Sequence, residues 1–447
     1  MKGRLLLPIA FVLILSPAAV CGRDTPPGSG LISSAPGQER FLVQWRGIRD
    51  PGILRGVWVT RWEYHDPGDI VGLMSEAADW GMTDVYFQVR GKGDAFYHSR
   101  LEPWASELTG RLGQDPGWDP LAIAVAEAHR RGLRLHAWIN TFPMWNGTAP
   151  PPPSYPEHIF RAHPEWIVVN RSGVTQRLED RFVYVSASPG NPAVQQHIAS
   201  VVLDIVSSYA VDGVHFDYIR LPDENYSYDA VSRRRYLQES ESSTYLEWQK
   251  NEITGMILRI SESARTIDPG LILSATVVNR YDRAREIFAQ EPADWVGPGG
   301  LDYVVAMAYT PFPALFAKMI AGYRAVLPDR CLVAGINLEE MPGDPTSVAA
   351  QVYTALSTQL LGHVFLNQGN LRMLAAGSSR NSDFYGYLEA AQGHPLAAPR
   401  PVRIDQTLPD ETGNAGAELP RKIERLLPLV ARAVNMAFIV VLRGFSA

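Results

Sequence analysis

Asp217 closes a segment, Asp212-Gly213-Val214-His215-Phe216-Asp217-Tyr218-Ile219-Arg220-Leu221-Pro222, in which apolar and polar residues alternate. A repeat of two puts Val214 and Phe216 on one side of a strand and Gly213, His215 and Asp217 on the other, and Pro222 limits its continuation. A carboxylate that faces inward at the C-terminal end of a strand stands where parallel barrels hold their reactive groups. Such a group serves as a nucleophile, an acid or a base, and His215 and Arg220 are placed to hydrogen-bond Asp217 and keep it ionised. An aspartate beside an arginine is also what a plain structural ion pair looks like. His136, His215 and Asp217 would make a ligand set for Zn²⁺ or another transition metal, but no H-x-H pair occurs on a strand. No metal and no cofactor are expected.

The elements that must position Asp217 follow from the same alternation. Leu135, Ala137 and Ile139 interleave with His136, Trp138 and Asn140, and Val85, Phe87 and Val89 interleave with Tyr86, Gln88 and Arg90. These segments turn apolar residues outward and large polar ones inward. Strands are expected near 54–60, 84–90, 134–140, 212–218, 271–278, 301–308, 331–337 and 363–367. Helical segments fall between them at 69–80, 119–131, 192–208, 243–267 and 346–360, several opening on a capping residue or a proline. Regular alternation of strand and helix implies a parallel sheet, and eight turns imply closure, so the fold class is α/β, a (β/α)8 TIM barrel. The connection after the third strand, 141–192, is unusually long and lies on the side where such barrels do chemistry.

The chain has 447 residues, 46% hydrophobic and 20% charged, which is ordinary globular material and enough for a barrel with additions. A net charge of -6 with scattered Lys and Arg offers no basic footprint for nucleic acid. Lys2 and Arg4, an apolar run from Leu5 to Leu15 and small residues up to Cys21 have the layout of a secretory signal over 1–21, which implies an extracytoplasmic protein. Ala18-Ala19-Val20-Cys21-Gly22 resembles a lipoprotein processing site with Val20 at an unusual position, and both membrane attachment through a lipidated Cys21 and plain cleavage stay open. Cys331 is then the remaining cysteine and is expected to be a buried thiol. Residues 22–40 are rich in Gly, Pro and Ser and suit a tether, 41–394 form the barrel, 395–422 a second linker, and 423–447 an apolar tail too interrupted for a membrane span. The N- and C-terminal segments are expected to be loosely attached, and oligomeric state is not legible.

Seven motifs occur in register: Arg55-Gly56-Val57-Trp58-Val59-Thr60-Arg61-Trp62, Phe87-Gln88-Val89-Arg90, Asp94-Ala95-Phe96-Tyr97, Leu101-Glu102-Pro103-Trp104, Gly117-Trp118-Asp119-Pro120-Leu121, His136-Ala137-Trp138-Ile139-Asn140, and the block from Asp212 to Pro222. Together they resemble the glycosyl-hydrolase-like 10 family of secreted bacterial TIM barrels over roughly 54–368. The resemblance implies a cell-envelope barrel that acts on a polysaccharide or oligosaccharide, with peptidoglycan glycan strands the substrate class of some members. The chain departs from the pattern twice. Thr141-Phe142-Pro143-Met144 follows Asn140 where many members have Pro, Tyr and Arg, and Asp217 is followed by Tyr218 where one branch has a second Asp.

Hydrolysis of a glycosidic bond needs one carboxyl to protonate the leaving oxygen and another to act as nucleophile or to activate water. The pair stands about 5–5.5 Å apart in retaining enzymes and about 6.5–9.5 Å in inverting ones. With Asp217 as the first, Gly335, Asn337 and Glu339 share a face at the end of the seventh strand, nearly opposite the fourth, so Glu339 is the expected general acid, its pKa raised by burial. Glu340 is the competitor if the register shifts by one, and Glu63 is another. Trp62, Trp138 and Tyr309 offer flat faces to sugar rings, and Gln88, Arg90, His136, Asn140, His215, Arg220 and Asn367 offer hydrogen bonds. Arg90 needs an anion, either Asp217 or an acidic sugar substituent. Trp145, Trp166 and Tyr184 on the long connection could stack on sugars or pack the loop down. A catalytically silent glycan-binding barrel and a metal-dependent hydrolase are the alternatives to a two-carboxylate glycoside hydrolase.

Overall fold

A computed structural model describes residues 52–377 except 181, 240–242, 298, 329 and 343. Two compact units divide the chain, Met1–Arg380 and Asn381–Ala447, and the second lies wholly outside the described residues. So do the expected leader at 1–21 with Cys21, the linkers at 22–40 and 395–422, and the tail at 423–447.

Among the described residues ten strands form in chain order: β1 (Leu54–Val59), β2 (Asp84–Arg90), β3 (Arg134–Asn140), β4 (Pro143–Trp145), β5 (Val185–Ser186), β6 (Gly213–Asp217), β7 (Ile272–Val277), β8 (Tyr303–Met307), β9 (Leu332–Asn337) and β10 (Gly362–Leu366). Eight close into a barrel in the order β1-β2-β3-β6-β7-β8-β9-β10, every neighbouring pair parallel. Helices fill the crossovers, and their starts are written locally. Asp66, Asp119, Asn191 and Asp344 each precede a proline and each accept a hydrogen bond from a first-turn backbone N–H, at Asp69, Ala122, Ala193 and Ser347 respectively. Proline at the first helical position gives up a donor that has no partner there anyway, and each cap stabilises its helix by about 1 kcal/mol.

Register decides which inward side chains share a level. Asn140 pairs with Asp217, Trp138 with His215, and His136 with Gly213, while His215 pairs with Ser274 on the next strand. Inward residues therefore stack in tiers. Leu54, Trp58, Tyr86, Trp138, Ile272, Tyr303, Val305, Val333 and Val364 pack together inside the barrel and exclude water from it. The large rings fit because small residues face them. A Cβ built on Gly213 would stand 2.4 Å from His136 Nδ1 and 2.6 Å from the Ile272 carbonyl oxygen, so only glycine lets β6 lie this close to the imidazole. Cys331 is buried, at the start of β9.

The long connection after β3 holds the small antiparallel sheet β4-β5, which pairs a strand near its start with one near its end. The Asp217 carbonyl accepts from Thr141 N at 2.7 Å and the Phe142 carbonyl from Ala187 N at 2.8 Å, so the connection is pinned to β6 at its start.

Candidate active site

A cavity of about 580 Å³ opens at the C-terminal end of the barrel. Its lining comes from all eight barrel strands or the loops that follow them: Trp58, Thr60, Arg61 and Trp62 on and after β1, Gln88 on β2, Trp138 and Asn140 on β3, Asp217, Tyr218 and Arg220 at and beyond the end of β6, Thr276, Val278, Asn279, Arg283 and Phe288 at and beyond β7, Met307 and Tyr309 at and beyond the end of β8, and Leu366 on β10. Tyr184 from the long connection and Glu340 from the turn after β9 complete it.

Asp217 is 6% exposed and its carboxylate is fixed on one side only. Oδ1 accepts from the Thr276 hydroxyl at 2.6 Å and from Tyr218 N at 2.7 Å. Oδ2 has no hydrogen bond from the described residues, which leaves one carboxylate oxygen for a ligand. Tyr218 makes its bond by adopting φ of +50°, in the left-handed region, where side chains other than glycine are uncommon and cluster at functional positions. Neither His215 nor Arg220 bonds Asp217, contrary to the expectation from the sequence. His215 lies one tier deeper, and the Arg220 guanidinium lies over the Tyr218 ring, 4.5 Å from its centroid. Thr276 was missed, although the period-two series Ile272, Ser274, Thr276 on the adjacent strand carried the signal.

The glutamate that lines the cavity lies one residue beyond the one expected. Both glutamates are exposed, but Glu339 accepts from Asn370 Nδ2 at 3.2 Å and does not line the cavity, whereas Glu340 does. The cause is local. Asn337 ends β9 and its side chain accepts from Glu339 N at 3.0 Å, capping a 3₁₀ turn over Leu338–Glu340, so strand alternation stops before the glutamates. Partial desolvation, then the charge of neighbouring Glu339, pushes the Glu340 carboxyl above its ordinary range, the direction a proton donor requires. Glu63 is committed to structure. Its carboxylate accepts from Thr60 N, the Thr60 hydroxyl and Gly369 N, which braces β1 against the helix Gln368–Gly377.

Several inward polar residues serve the barrel interior below the cavity. His215 Nε2 accepts from the Trp58 indole N–H at 3.1 Å, and because an indole only donates, Nδ1 carries the proton and donates to Ser274 Oγ at 2.8 Å. Burial, with a smaller contribution from His136, pushes this imidazole well below its usual pKa and keeps it neutral. His136 Nε2 donates to Asp84 Oδ1 at 2.8 Å and its ring stacks on Tyr86. Arg90 finds its anion in Glu102 at 2.7 Å, not in Asp217 or a ligand, and also donates to the carbonyls of Asn140 and Thr141. His215, His136 and Arg90 therefore do not line the cavity. Neither does Asn367, whose Oδ1 accepts from Asn370 N at 3.0 Å at the start of the last helix.

Gln88 and Asn140 do line it, with their amides oriented by one relay. Arg61 N donates to Gln88 Oε1, Gln88 Nε2 donates to Asn140 Oδ1, and Asn140 Nδ2 donates to the Gly91 carbonyl. Trp138 presents an indole N–H that is buried without a partner, and Trp62 stands at the mouth, 54% exposed, with the Arg61 guanidinium over its ring. Tyr309 is half-buried, and burial followed by the charge of Asp217 pushes its phenol well up, so it stays a hydroxyl donor. On the long connection Tyr184 reaches the cavity, its hydroxyl accepting from Arg61 Nη2 at 3.1 Å. Trp145 and Trp166 pack the loop down instead, the first bonded to the Ala149 carbonyl and the second stacked on His163.

Comparison with known proteins agrees with this barrel. Residues 53–325 match the family described as Glycosyl hydrolase-like 10. The chain is 32% identical over 263 residues to glycosyl hydrolase DigH of Escherichia coli K12, covering 53% of this chain and 57% of DigH. It is 24% identical over 262 residues to glycosyl hydrolase YngK of Bacillus subtilis strain 168, covering 54% of this chain and 48% of YngK. The chain thus spans about half the length of the curated relatives it matches. Among solved structures, the glycoside hydrolase domain of PgaB (BpsB) from Bordetella bronchiseptica superposes with a TM-score of 0.59 at 12% identity, over 77% of this chain and all of that domain. Alpha-L-fucosidase isoenzyme 2 from Paenibacillus thiaminolyticus gives 0.50 at 15% identity, over 76% of this chain and 49% of the enzyme. These two likenesses speak for the barrel fold.

Proposed function

This chain belongs to the glycosyl hydrolase-like 10 family, and we propose that it is an extracytoplasmic glycoside hydrolase that cleaves glycosidic bonds in peptidoglycan glycan strands. The observation that carries the reading is Asp217, fixed at Oδ1 by Thr276 and Tyr218 N with Oδ2 left unbonded, in a cavity that a second carboxylate, Glu340, also lines. Barrel order sets β9 three strands from β6, nearly across the mouth, so the two acids approach a bound sugar from different sides.

In this mechanism Asp217 acts as the ionised partner, attacking the anomeric carbon or taking a proton from the water that does. Glu340, whose raised pKa keeps it protonated to higher pH than an ordinary glutamate, gives its proton to the leaving oxygen. Trp62 and Trp138 supply apolar faces for the rings, and Gln88, Asn140 and Tyr309 supply fixed hydrogen bonds for hydroxyl or acetamido groups. The secretory layout of residues 1–21 supports an extracytoplasmic location, and Cys21 is the position at which lipid would attach.

The test is release of new reducing ends from purified peptidoglycan glycan strands, with and without their stem peptides, by the full chain. Release in the presence of EDTA supports the proposal over a metal-dependent hydrolase. Binding with no release from either strand favours a catalytically silent glycan-binding barrel.

A further inference from the structure

Beside the cavity, Arg61, Lys92 and Glu107 form an ionic network whose side chains are at most 8% exposed, and the mechanism above gives it no task. Glu107, in the short turn Ser106–Leu108, takes both cations, Lys92 at 3.0 Å and Arg61 at 3.5 Å. Each cation reaches one end of the long connection. Lys92 Nζ lies 4.7 Å from the centroid of the Trp145 ring on β4, and Arg61 Nη2 donates to the hydroxyl of Tyr184, the residue before β5, at 3.1 Å. One buried carboxylate thus serves both limbs of the β4-β5 sheet. Apolar side chains would close a loop at least as well as buried ions, so the network does more than pack. The held limb ends against the strand that carries Asp217. The Tyr184 ring meets the Tyr218 ring edge to face, with centroids 5.1 Å apart and planes at 83°, and the Arg220 guanidinium lies 4.5 Å from the Tyr218 centroid. Tyr218 is the residue at φ of +50° whose N–H bonds Asp217 Oδ1. A side chain in the left-handed region persists only where its surroundings hold it, and Tyr184 and Arg220 are what hold this one.

We propose that Tyr184, held by Arg61, is a positioning residue that keeps Tyr218 left-handed and thereby aims the Asp217 carboxylate. This rests on the hydrolase reading and adds the task of the long connection within it. The peptide group between Asp217 and Tyr218 is planar and moves as a unit. With the chain fixed on either side, Tyr218 returns to negative φ by a flip of that plane, and the flip carries its N–H away from Oδ1. Thr276 is then the remaining anchor, and Oδ2 loses its fixed direction. Tyr184 also lines the cavity, so a plain sugar contact is the competing account. A lost contact of that kind raises KM with kcat unchanged, whereas a misaimed carboxylate lowers kcat.

The experiment joins the kinetics of reducing-end release to crystal structures of the full chain and its variants. Tyr184→Leu should lower kcat about tenfold, the lower bound for a lost hydrogen bond to a charged group, and change KM far less. In its structure Tyr218 should have left the left-handed region and released Asp217. Tyr184→Phe keeps the ring on Tyr218 and loses only the bond from Arg61, so its rate should fall between those of the parent and Tyr184→Leu. Combining Tyr184→Leu with Thr276→Val removes both anchors of Oδ1, and the loss should exceed the product of the single losses by about threefold or more. A rise in KM alone overturns the proposal, as do single losses that simply multiply, or a Tyr184→Leu structure in which Tyr218 stays left-handed and bonded to Asp217. Absence of product from the parent removes the hydrolase reading alone, because the conformation of Tyr218 in the two structures still decides whether Tyr184 holds it.

Discussion

Thr276→Val isolates the fixation of Asp217 from everything else in the cavity. Valine has nearly the shape of threonine, and Thr276 is 1% exposed with its hydroxyl bonded to Asp217 Oδ1 at 2.6 Å, so the substitution removes one hydrogen bond and little else. A hydrogen bond to a charged acceptor contributes about 1.5–3 kcal/mol, which sets a ceiling of roughly 10- to 150-fold on the loss in kcat/KM. Tyr218 N still holds Oδ1 at 2.7 Å, so the carboxylate keeps one anchor and the expected loss is about tenfold, near the lower bound. Because the reacting carboxylate must be aimed in the transition state more strictly than in the bound complex, the loss belongs mainly to kcat. Initial rates of reducing-end release, measured beside the melting temperature, give the answer. Thr276→Ser, which restores the hydroxyl, should recover most of the rate. Activity of Thr276→Val within twofold of the parent, at unchanged melting temperature, would refute the reasoning that this bond positions the working oxygen.

Other perturbations test the acid and the scaffold. Glu340→Gln should lower the rate about 100-fold or more, the usual worth of a positioned acid, and remove the alkaline limb of the pH profile, while Glu339→Gln should keep that limb and move it to lower pH by removing a neighbouring negative charge; loss of the limb in Glu339→Gln with its retention in Glu340→Gln would return the acid role to Glu339. The alkaline limb itself should lie above the ordinary carboxylate range, because partial desolvation and Glu339 raise the Glu340 pKa and the protonated form is lost only above it. Burial alone would raise the Glu102 carboxyl, but Arg90 and His197 outweigh it and hold it at about 2. Its folded pKa is thus depressed, so its contribution to stability is present above the usual glutamate pKa and is lost as pH falls toward 2. Glu102→Gln should flatten that acid decline and cost about 3–5 kcal/mol at neutral pH by leaving Arg90 buried without its anion, read from denaturant melts at several pH values. Gly213→Ala should destabilise the barrel by about 1–3 kcal/mol, because the added methyl meets His136 and the Ile272 carbonyl; a melting temperature equal to that of the parent would contradict the tiered packing.

The barrel was legible because its two signals are local. Period-two alternation on β2, β3 and β6 marks the strands, and an Asp or Asn before proline marks helix starts at residues 66, 119, 191 and 344. The same alternation gave the face of Asp217, Gln88, Trp138 and Asn140, all of which reach the cavity. It gives a face and not a depth. His136, His215 and Arg90 point inward as read, yet they sit below the cavity and are occupied by Asp84, by Trp58 and Ser274, and by Glu102. Those partners come from other strands or from the loop after β2, and sequence spacing does not bring them together. Glu340 was read as the competitor to Glu339 and not as the first choice, for a different reason. Alternation ends where the Asn337 side chain starts a 3₁₀ turn, so extrapolating the strand by two residues selects Glu339 instead. Tyr309 was readable from its place at the end of β8, whereas Arg283 lies on the helix Tyr281–Glu286, too short to show a period, and Asn279 just before it.

The central claim is that the unbonded oxygen of Asp217 performs chemistry on a glycan, and substitution of that one carboxylate by its amide tests it most directly. Asp217→Asn keeps an oxygen for Thr276 and Tyr218 N, so the fold and the affinity for glycan strands should persist. The account predicts that mass spectrometry of strands incubated with the parent shows shorter products, and that the variant yields none while binding the same strands. Products formed by Asp217→Asn at a rate near that of the parent would contradict it.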